Sequence, residues 1–385
     1  MSEYGLYVHI PFCVRKCVYC DFYSIETVKG PIPSRLQTPL PDHVAFMDAL
    51  QVEIGQLPEG FRPTTIFLGG GTPTELSMGD LQRLFDLLHD QVDLGGVQEW
   101  TCESNPGTLT REKAQLLRDG GVNRISMGAQ SFQPSLLEFL GRIHGADDVY
   151  AGVEILRKAG FDDINIDLIY GVPGGSSAML QDDVARALDL ETDHLSCYCL
   201  TFEEGTPLQA MKARGYVREV DGEEERAQYQ LIRDRLQSAG FHHYEISNFA
   251  RRKRVCRHNL LYWGGGDYIG CGPSAHSHWA GRRYANVRSI RRYCAALEKG
   301  EAPIDFEETL TGEAKARELL VMHLRLLDGV DRHAFQQLSG YDYRELGGEA
   351  LAQLCAIGML TDSDDRLRLT EEGLFVSNRV FAELL

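Results

Sequence analysis

The segment His9–Phe22 reads HIPFCVRKCVYCDF and carries Cys13, Cys17 and Cys20, with three residues between the first pair and two between the second. A loop this short turns its sulfurs inward around one compact centre. Thiolates are soft ligands that select iron–sulfur clusters, zinc or copper(I). A [4Fe–4S] cluster normally takes four cysteines, so a loop with three leaves one iron open for an exchangeable ligand.

Two other interpretations of this loop stay open at this point. A zinc site needs a fourth ligand, and His9 precedes the loop, although it belongs to the apolar run Leu6–Ile10. The chain has ten cysteines, so three unrelated free thiols are the second alternative. An open coordination position is typical of a metal site that performs chemistry rather than one that only braces a fold.

The composition is that of an ordinary globular chain, with 43% hydrophobic and 25% charged residues. The net charge of −17 argues against nucleic-acid binding, because phosphate contacts need a basic face. One basic stretch, Arg251–Arg257, fits either a solvated loop or a site for an anionic ligand. The chain shows neither an apolar run long enough to span a membrane nor an export signal. We therefore expect a cytoplasmic protein, for which peripheral membrane association through a partner stays open.

Short β-rich runs alternate with amphipathic helical patterns along most of the chain. The predicted strands are Leu6–Ile10, Thr65–Leu68, Glu99–Glu103, Arg124–Met127, Ile164–Ile169 and His194–Leu200. The predicted helices between them are Asp80–Leu88, Arg111–Arg118, Asp147–Lys158 and Leu180–Leu188. This alternation predicts an α/β fold built from βαβ units, in the form of an incomplete (β/α)6-type barrel. Functional residues are then expected at the carboxyl ends of the strands.

The pattern changes after this barrel region. We predict that residues 1–300 form the barrel and that residues 301–385 form a small winged-helix-like domain. Helical patterns at Gly312–Leu327 and Leu346–Ile357, with a short strand at Arg366–Leu369, support the second prediction. Its acidic character favours a covering or docking role over DNA binding. The segment Pro31–Pro41 carries four prolines and is predicted to be a surface loop.

Polar residues follow several of the predicted strands. The segment Gly69–Thr74 reads GGGTPT, and its glycines allow a ligand to approach the backbone closely. Glu103 is suited to bind a ribose hydroxyl pair or an ammonium group. Alternatively, it is only an acidic residue near the start of a helix, which is common. Gln130 and Arg142 suit a carboxylate or a ribose. Asp167 alternates with apolar neighbours, so it is expected to point into the barrel and to need a partner there.

Together these segments resemble the radical S-adenosylmethionine (SAM) superfamily, and within it the anaerobic coproporphyrinogen III oxidase-like branch. The matching blocks are YVHIPFC (7–13), GGGTPT (69–74), ESNPG (103–107), RISMGAQSF (124–132), RIH (142–144), NIDLIYGVPG (165–174) and YEISNFA (244–250). The resemblance implies that the three cysteines ligate a [4Fe–4S] cluster whose open iron binds SAM. It also implies SAM contacts by Tyr7, Tyr19, Gly70, Gly71, Thr72, Glu103, Gln130, Arg142 and Asp167.

One departure separates two subgroups of that branch. The true oxidases carry a further cysteine two residues after the third cluster cysteine, and here that position is Phe22. This departure and the block HNLLYW at residues 258–263 resemble the HemW-type heme chaperones. In that group the motif histidine, here His258, is implicated in heme binding. The resemblance predicts a chaperone that binds heme and transfers it to acceptor proteins such as respiratory enzymes.

Both parts of this prediction have an alternative. A neutral imidazole is a good iron ligand, and Tyr262 and Trp263 are able to stack on a porphyrin. In the other interpretation, His258 and Asn259 hydrogen-bond a loop while the two aromatic residues belong to the core. The alternative function is an oxygen-independent coproporphyrinogen III oxidase that decarboxylates propionates by radical chemistry.

Overall fold

The computed structural model describes residues 3–27 and 41–385. The predicted loop Pro31–Pro41 therefore lies outside the described residues, except for Pro41, at which the first helix begins. In chain order the strands are β1 (Tyr4–Ile10), β2 (Phe12–Cys13), β3 (Ile25–Glu26), β4 (Thr65–Gly70), β5 (Glu99–Ser104), β6 (Arg124–Gln130), β7 (Asp163–Tyr170), β8 (His194–Cys199), β9 (His242–Glu245), β10 (Asn248–Ala250), β11 (Asp267–Cys271), β12 (His276–Trp279), β13 (Arg282–Asn286), β14 (Ile304–Thr309), β15 (Val330–Asp331), β16 (Leu360–Ser363) and β17 (Arg366–Leu369).

The helices cover the outside of the large sheet and build the C-terminal part. In chain order they are α1 (Pro41–Ile54), α2 (Met78–Gln91), α3 (Arg111–Asp119), α4 (Pro134–Leu140), α5 (Ala146–Lys158), α6 (Ser177–Asp189), α7 (Pro207–Ala213), α8 (Gly222–Ser238), α9 (Arg257–Trp263), α10 (Ile290–Glu298), α11 (Gly312–His323), α12 (Arg332–Ser339), α13 (Tyr343–Ala356), α14 (Glu371–Phe375) and α15 (Ser377–Leu384). Side chains cap many of their N-termini: Ser77, Thr110 and Ser176 accept hydrogen bonds from the backbone three residues on.

The large sheet has twelve strands in the order β14-β13-β12-β11-β1-β4-β5-β6-β7-β8-β10-β9. Every neighbouring pair from β11 through β1 to β8 is parallel, and the strands beyond are antiparallel. A parallel sheet covered on both faces has strands buried on both sides, and β7 shows this pattern. The predicted incomplete barrel with six β/α strands is confirmed.

The sequence analysis missed the extensions of this sheet on both sides. Strands β9 and β10 extend it antiparallel beyond β8, and on the other side of β1 the parallel strand β11 is followed by the antiparallel strands β12 to β14. These strands are short and rich in polar residues, so they give little hydrophobic signal. Strand β14 pairs with β13 beyond the predicted domain boundary at residue 300, and the division at that residue stays a prediction.

The C-terminal part has its own small sheet and core. Strands β15, β17 and β16 form an antiparallel three-stranded sheet, against which helices α11 to α15 pack around a separate apolar cluster. The helix-then-hairpin pattern of a winged helix is present in α13, β16 and β17. The segment that follows helix α11 is bonded to the barrel side: the Ile246 amide donates to the Arg325 carbonyl (3.2 Å), and the Leu327 amide donates to the Tyr244 carbonyl (3.1 Å). Within the described residues, no helix is long and apolar enough to cross a membrane.

Candidate functional site

A cavity of about 1170 Å³ opens at the carboxyl ends of the barrel strands and extends into the barrel interior. It brings together most of the residues that the sequence analysis singled out. These are Cys13, Cys17, Tyr19, Cys20, Gly70, Gly71, Thr72, Glu103, Gln130, Arg142 and Asp167. Strand ends distant in sequence therefore meet in one place, as a parallel barrel requires.

The cysteine loop follows β1 and is tied down by strands β2 and β3. The Thr72 hydroxyl donates to the Cys13 sulfur (3.6 Å), and the Arg142 guanidinium donates to the Cys17 sulfur (3.3 Å). Burial raises the pKa of the Cys13 thiol and raises that of Cys20 to about 11. A hydroxyl and a guanidinium directed at sulfur are surroundings that suit thiolate ligands.

The loop does not have the geometry of a single-ion site. Within the described residues, no group of three His, Cys, Asp or Glu side chains is placed to hold one metal ion. His9, the possible fourth zinc ligand, has both ring nitrogens engaged: Nδ1 with the Tyr7 hydroxyl (3.0 Å) and Nε2 with the Tyr23 carbonyl (2.7 Å). Burial lowers the pKa of His9 to about 4, so the ring is neutral at pH 7. The donor set therefore fits a multinuclear cluster spread between three sulfurs better than a zinc ion.

The glycine turn after β4 packs against the start of the cysteine loop. The amides of Gly71 and Thr72 donate to the carbonyls of Ile10 (2.8 Å) and Phe12 (2.7 Å). A Cβ on Gly71 would lie 2.5 Å from the Phe12 oxygen, so glycine is required there. These two amides are therefore already used and are not free to donate to a ligand. A ligand amino group instead needs carbonyl acceptors from this turn.

Glu103 lies at the end of β5 and accepts a hydrogen bond from the Gly70 amide (3.1 Å). Burial, with a smaller contribution from Asp167, raises the pKa of Glu103 to about 8. The carboxyl group is therefore mostly protonated at pH 7. A cationic ligand in the cavity would favour its ionised form.

Asp167 faces the barrel interior, as its alternation with apolar residues predicts. Its oxygens accept hydrogen bonds from Asn165 Nδ2 (2.7 Å) and the Ser126 hydroxyl (3.2 Å). Burial raises its pKa. The sequence analysis expected a hydrogen-bond partner for Asp167. The protein itself supplies such partners, through Asn165 and Ser126.

Arg142 is a buried cation beside the cysteine loop. Its guanidinium also donates to the Gly128 carbonyl (2.7 Å) and to the Asn105 amide oxygen. Its Nε atom is buried without a hydrogen-bond partner among the described residues. Gln130 lies at an irregularity in the pairing of β6 with β7, with a φ of 67°. Such strain is common where a side chain is directed into a functional site.

The two predicted tyrosines differ in position. Tyr19 lines the cavity, and burial raises its pKa. Tyr7 is not among the lining residues that the structure describes, and its hydroxyl group is engaged with His9. A ligand contact by Tyr7 stays a prediction that this conformation does not favour.

His258 lies in the core rather than on the cavity wall, with 1% of its surface exposed. Its Nδ1 lies 2.8 Å from the Thr65 hydroxyl and its Nε2 lies 2.7 Å from the Tyr262 hydroxyl. Burial lowers its pKa to about 3, so the ring is neutral. This arrangement matches the alternative in which the motif is structural. Heme ligation by His258 stays a prediction, and in this conformation it requires the hydrogen bond at the ligating ring nitrogen to break.

The basic stretch near His258 is held mainly by acidic residues at the amino ends of the strands. Arg252 pairs with Asp193 (3.4 Å), and Arg254 pairs with Asp163 (3.7 Å). Arg251 packs over the Phe241 ring, 4.2 Å from its centroid. These contacts favour the structural interpretation of the stretch over an anion site.

Sequence reasoning missed several residues that line the cavity. Asn105 links Thr72 to Arg142, and its place in the ESNPG block was the available signal. Tyr198 at the end of β8 is 40% exposed, into the cavity. The C-terminal part contributes Leu374, Phe375, Ser377, Asn378 and Arg379. No local pattern indicates that these last residues, so distant in sequence, reach the cysteine loop.

Comparison with known proteins follows the same division of the chain. Residues 7–187 match the Radical SAM superfamily and residues 310–376 match the HemN C-terminal domain. The chain is 35% identical over 379 residues to the heme chaperone HemW of Lactococcus lactis subsp. lactis (strain IL1403), covering 98% of this chain and 96% of that protein. It is 33% identical over 383 residues to the heme chaperone HemW of Bacillus subtilis (strain 168), covering 98% of each.

A solved structure agrees with this assignment at the level of the fold. Coproporphyrinogen III oxidase (HemN) from Escherichia coli, a radical SAM enzyme, superposes with a TM-score of 0.83 at 23% identity, covering 100% of this chain and 90% of that one. The radical SAM fold with a HemN-type C-terminal domain is thereby confirmed. The full-length relatives define the narrower group, and the chain belongs to the HemW family of heme chaperones within the radical SAM superfamily.

Proposed function

We propose that this protein binds heme and transfers it to acceptor proteins such as respiratory enzymes, and that it carries a [4Fe–4S] cluster with exchangeable SAM. The observation that carries the proposal is the common cavity of Cys13, Cys17 and Cys20 with the strand-end polar residues. Membership of the HemW family supports the heme part.

Three thiolates from the cysteine loop would hold the cluster. Arg142 and Thr72 donate hydrogen bonds to the sulfurs of Cys17 and Cys13 and so help to position two of the ligands. A bound cluster supplies an iron with an open position and a route for one-electron transfer. The three thiols must lose their protons on assembly, so cluster binding depends on pH.

The polar residues beyond the loop suit the amino acid and ribose parts of SAM. The unpartnered Nε of Arg142 is a donor for a carboxylate. Glu103 is an acceptor for hydroxyl or ammonium groups, and Gln130 and Asp167 line the same wall. Tyr19 closes the loop side. In this arrangement the chain orients the nucleotide, and its own side chains undergo no covalent change.

The alternative function is coproporphyrinogen III oxidation. We test it as well because the fold resembles that of HemN over the full length of this chain. Phe22, at the position of the oxidases' further cysteine, is 63% exposed and lines the cavity. An aromatic ring there offers apolar contact instead of a thiol.

Two assays on one anaerobically reconstituted preparation separate the two functions. Titration with heme is expected to give a saturable shift of the Soret band, followed by transfer to an apo-acceptor. Incubation with coproporphyrinogen III, SAM and a strong reductant is expected to give no protoporphyrinogen. Catalytic turnover without heme binding would reverse the assignment.

A further inference from the structure

The cavity has two chemically different sets of lining residues, and only one of them is used by the cluster and nucleotide proposal. Its volume of about 1170 Å³ exceeds the roughly 300–1,000 Å³ of a typical single-ligand pocket. One set consists of the carboxylates and amides described above. The other consists of apolar and aromatic lining residues that we call the aromatic wall: Ile169, Tyr198, Leu200, Phe202 and Phe375.

Two exposed arginines at this cavity have no acidic partner among the described residues; the half-buried Arg142 also lacks one but is engaged with Cys17, Gly128 and Asn105. Arg15 belongs to the cysteine loop, and Arg379 belongs to helix α15 of the C-terminal part. Both are exposed side chains that line the cavity. A third arginine, Arg325, lies 3.5 Å from Glu245 and stacks on Trp263, so its charge is already in use.

Acidic residues also line the cavity, and two of them already have cationic partners. Glu219 is paired with Lys212 (2.6 Å), and Asp21, in the same loop segment as Arg15, is paired with Arg288 (3.2 Å). Glu203 follows β8, and Glu225 lies on α8. An amphipathic ligand with carboxylates is therefore oriented, with its charged edge toward the arginines and away from the β8–α8 wall.

We propose that the aromatic wall, Arg15 and Arg379 form the tetrapyrrole site, in which the two arginines receive the propionates of heme. This deepens the proposed function and rests on it. A flat apolar macrocycle with two carboxylates on one edge matches aromatic side chains bordered by two free cations. The lining histidine in the described chain, His194, has both ring nitrogens bonded, to Asn165 (2.6 Å) and Tyr244 (2.8 Å). His194 is therefore not free to ligate the heme iron, and the protein recognises heme through the edge of the macrocycle. Binding without an iron ligand suits a carrier that must release its heme.

The test compares heme with heme dimethyl ester, whose propionates are uncharged, on the full-length reconstituted protein. The variants are Arg379→Gln and Arg15→Gln, with Arg291→Gln as the control because Arg291 is exposed on α10 outside the cavity. We expect each cavity variant to bind heme about three- to tenfold more weakly, as for loss of a charge-assisted hydrogen bond. The control is expected to bind as the wild type does. Iron content and circular dichroism show whether each variant is folded and loaded.

The ester supplies the decisive comparison. Wild type is expected to bind the ester more weakly than heme, and this preference is expected to disappear in the double variant. Equal binding of heme and ester by the wild type, or undiminished heme binding by both arginine variants, would overturn this site while leaving heme binding intact. Failure of the wild type to bind heme at all would overturn the proposed function and the site together.

Discussion

The Arg142 guanidinium lies 3.3 Å from the Cys17 sulfur and also holds the Gly128 carbonyl and the Asn105 side chain. Arg142, which follows the fourth barrel strand (β6) along the chain, thus contacts the middle cysteine of a loop that follows the first (β1). This contact couples the cluster position to the rest of the cavity wall.

Replacement of this cation is expected to weaken cluster binding. In Arg142→Gln the Cys17 sulfur loses its guanidinium hydrogen-bond donor and a neighbouring positive charge. We expect cluster loss to a chelator about tenfold faster than in wild type, as for loss of one charge-assisted hydrogen bond. Arg142→Lys keeps the charge and should show an intermediate rate. The readout is the decay of iron–sulfur absorbance under anaerobic conditions, and an unchanged rate in both variants would contradict this role.

Glu103 is expected to couple nucleotide binding to a proton. Its pKa of about 8 keeps it protonated at pH 7, and ionisation on binding a cationic ligand releases that proton. The affinity for SAM should therefore rise as the pH increases from 6.5 to about 8 and then level off. Calorimetry in buffers of different ionisation enthalpy measures the released proton. Glu103→Gln should bind without this pH dependence, and persistence of the dependence in that variant would assign it elsewhere.

His258 is expected to make the free energy of unfolding depend on pH, whether or not it ligates heme. Its pKa is about 3 in the folded state and near 6.5 when unfolded, so the unfolded chain takes up a proton between these values. The stability that the neutral ring contributes is therefore complete above about pH 6.5 and is lost as the pH falls toward 3, by up to about 1.4 kcal/mol per pH unit. Denaturant unfolding of His258→Gln should show a shallower acid slope than wild type.

Tyr262→Phe is the matched control for this position. It removes one of the two hydrogen bonds of His258 and leaves the ring. The acid slope of this variant should stay close to that of wild type. A loss of heme binding in a His258 variant is evidence for ligation only where unfolding measurements show that the variant is still folded.

The turn after β4 requires glycine, and a substitution there is expected to be costly. In Gly71→Ala the new Cβ meets two backbone oxygens, of Phe12 at 2.5 Å and of Ile10 at 2.6 Å, which cannot rotate away. We expect a loss of about 2–3 kcal/mol in the free energy of unfolding, together with reduced cluster content. Gly79→Ala is the control, because its Cβ has no neighbour nearer than 3.8 Å. That variant should be as stable as wild type or more stable by about 0.5 kcal/mol.

We expect helix α14, in the C-terminal wall of the cavity, to unfold locally more easily than the rest of the protein. Helix α14 is held to α8 by the ion pairs Arg233–Glu371 and Arg226–Glu372, whose carboxylates are half exposed. Exposed ion pairs contribute only about 0–1 kcal/mol each. The double variant Glu371→Gln/Glu372→Gln should keep the global stability but exchange the α14 amides faster. Glu313→Gln, which breaks a pair within α11, is the control and should leave α14 unchanged.

The sequence predicts those parts of the molecule that have a pattern in their own local sequence. The six parallel strands are long buried runs, and the cysteine loop, Glu103 and Asp167 stand at or near their ends, so fold and cavity follow from pattern and topology. The strand β11 and the antiparallel strands β12 to β14 were missed because they are short and carry many polar residues. The burial of His258 was not predicted, since it depends on Thr65, which lies 193 residues away along the chain. The position of Arg379 in the cavity lining likewise depends on how the C-terminal part packs against the barrel.

The proposed function depends most on ligation of a cluster by the three cysteines, and one spectroscopic measurement tests that ligation directly. Protein reconstituted anaerobically with iron and sulfide and then reduced should give the electron paramagnetic resonance signal of a [4Fe–4S]⁺ cluster, and SAM should shift it. The variant Cys17→Ser should lack the signal. A silent spectrum from wild type, or stoichiometric zinc in place of iron, would contradict the central claim.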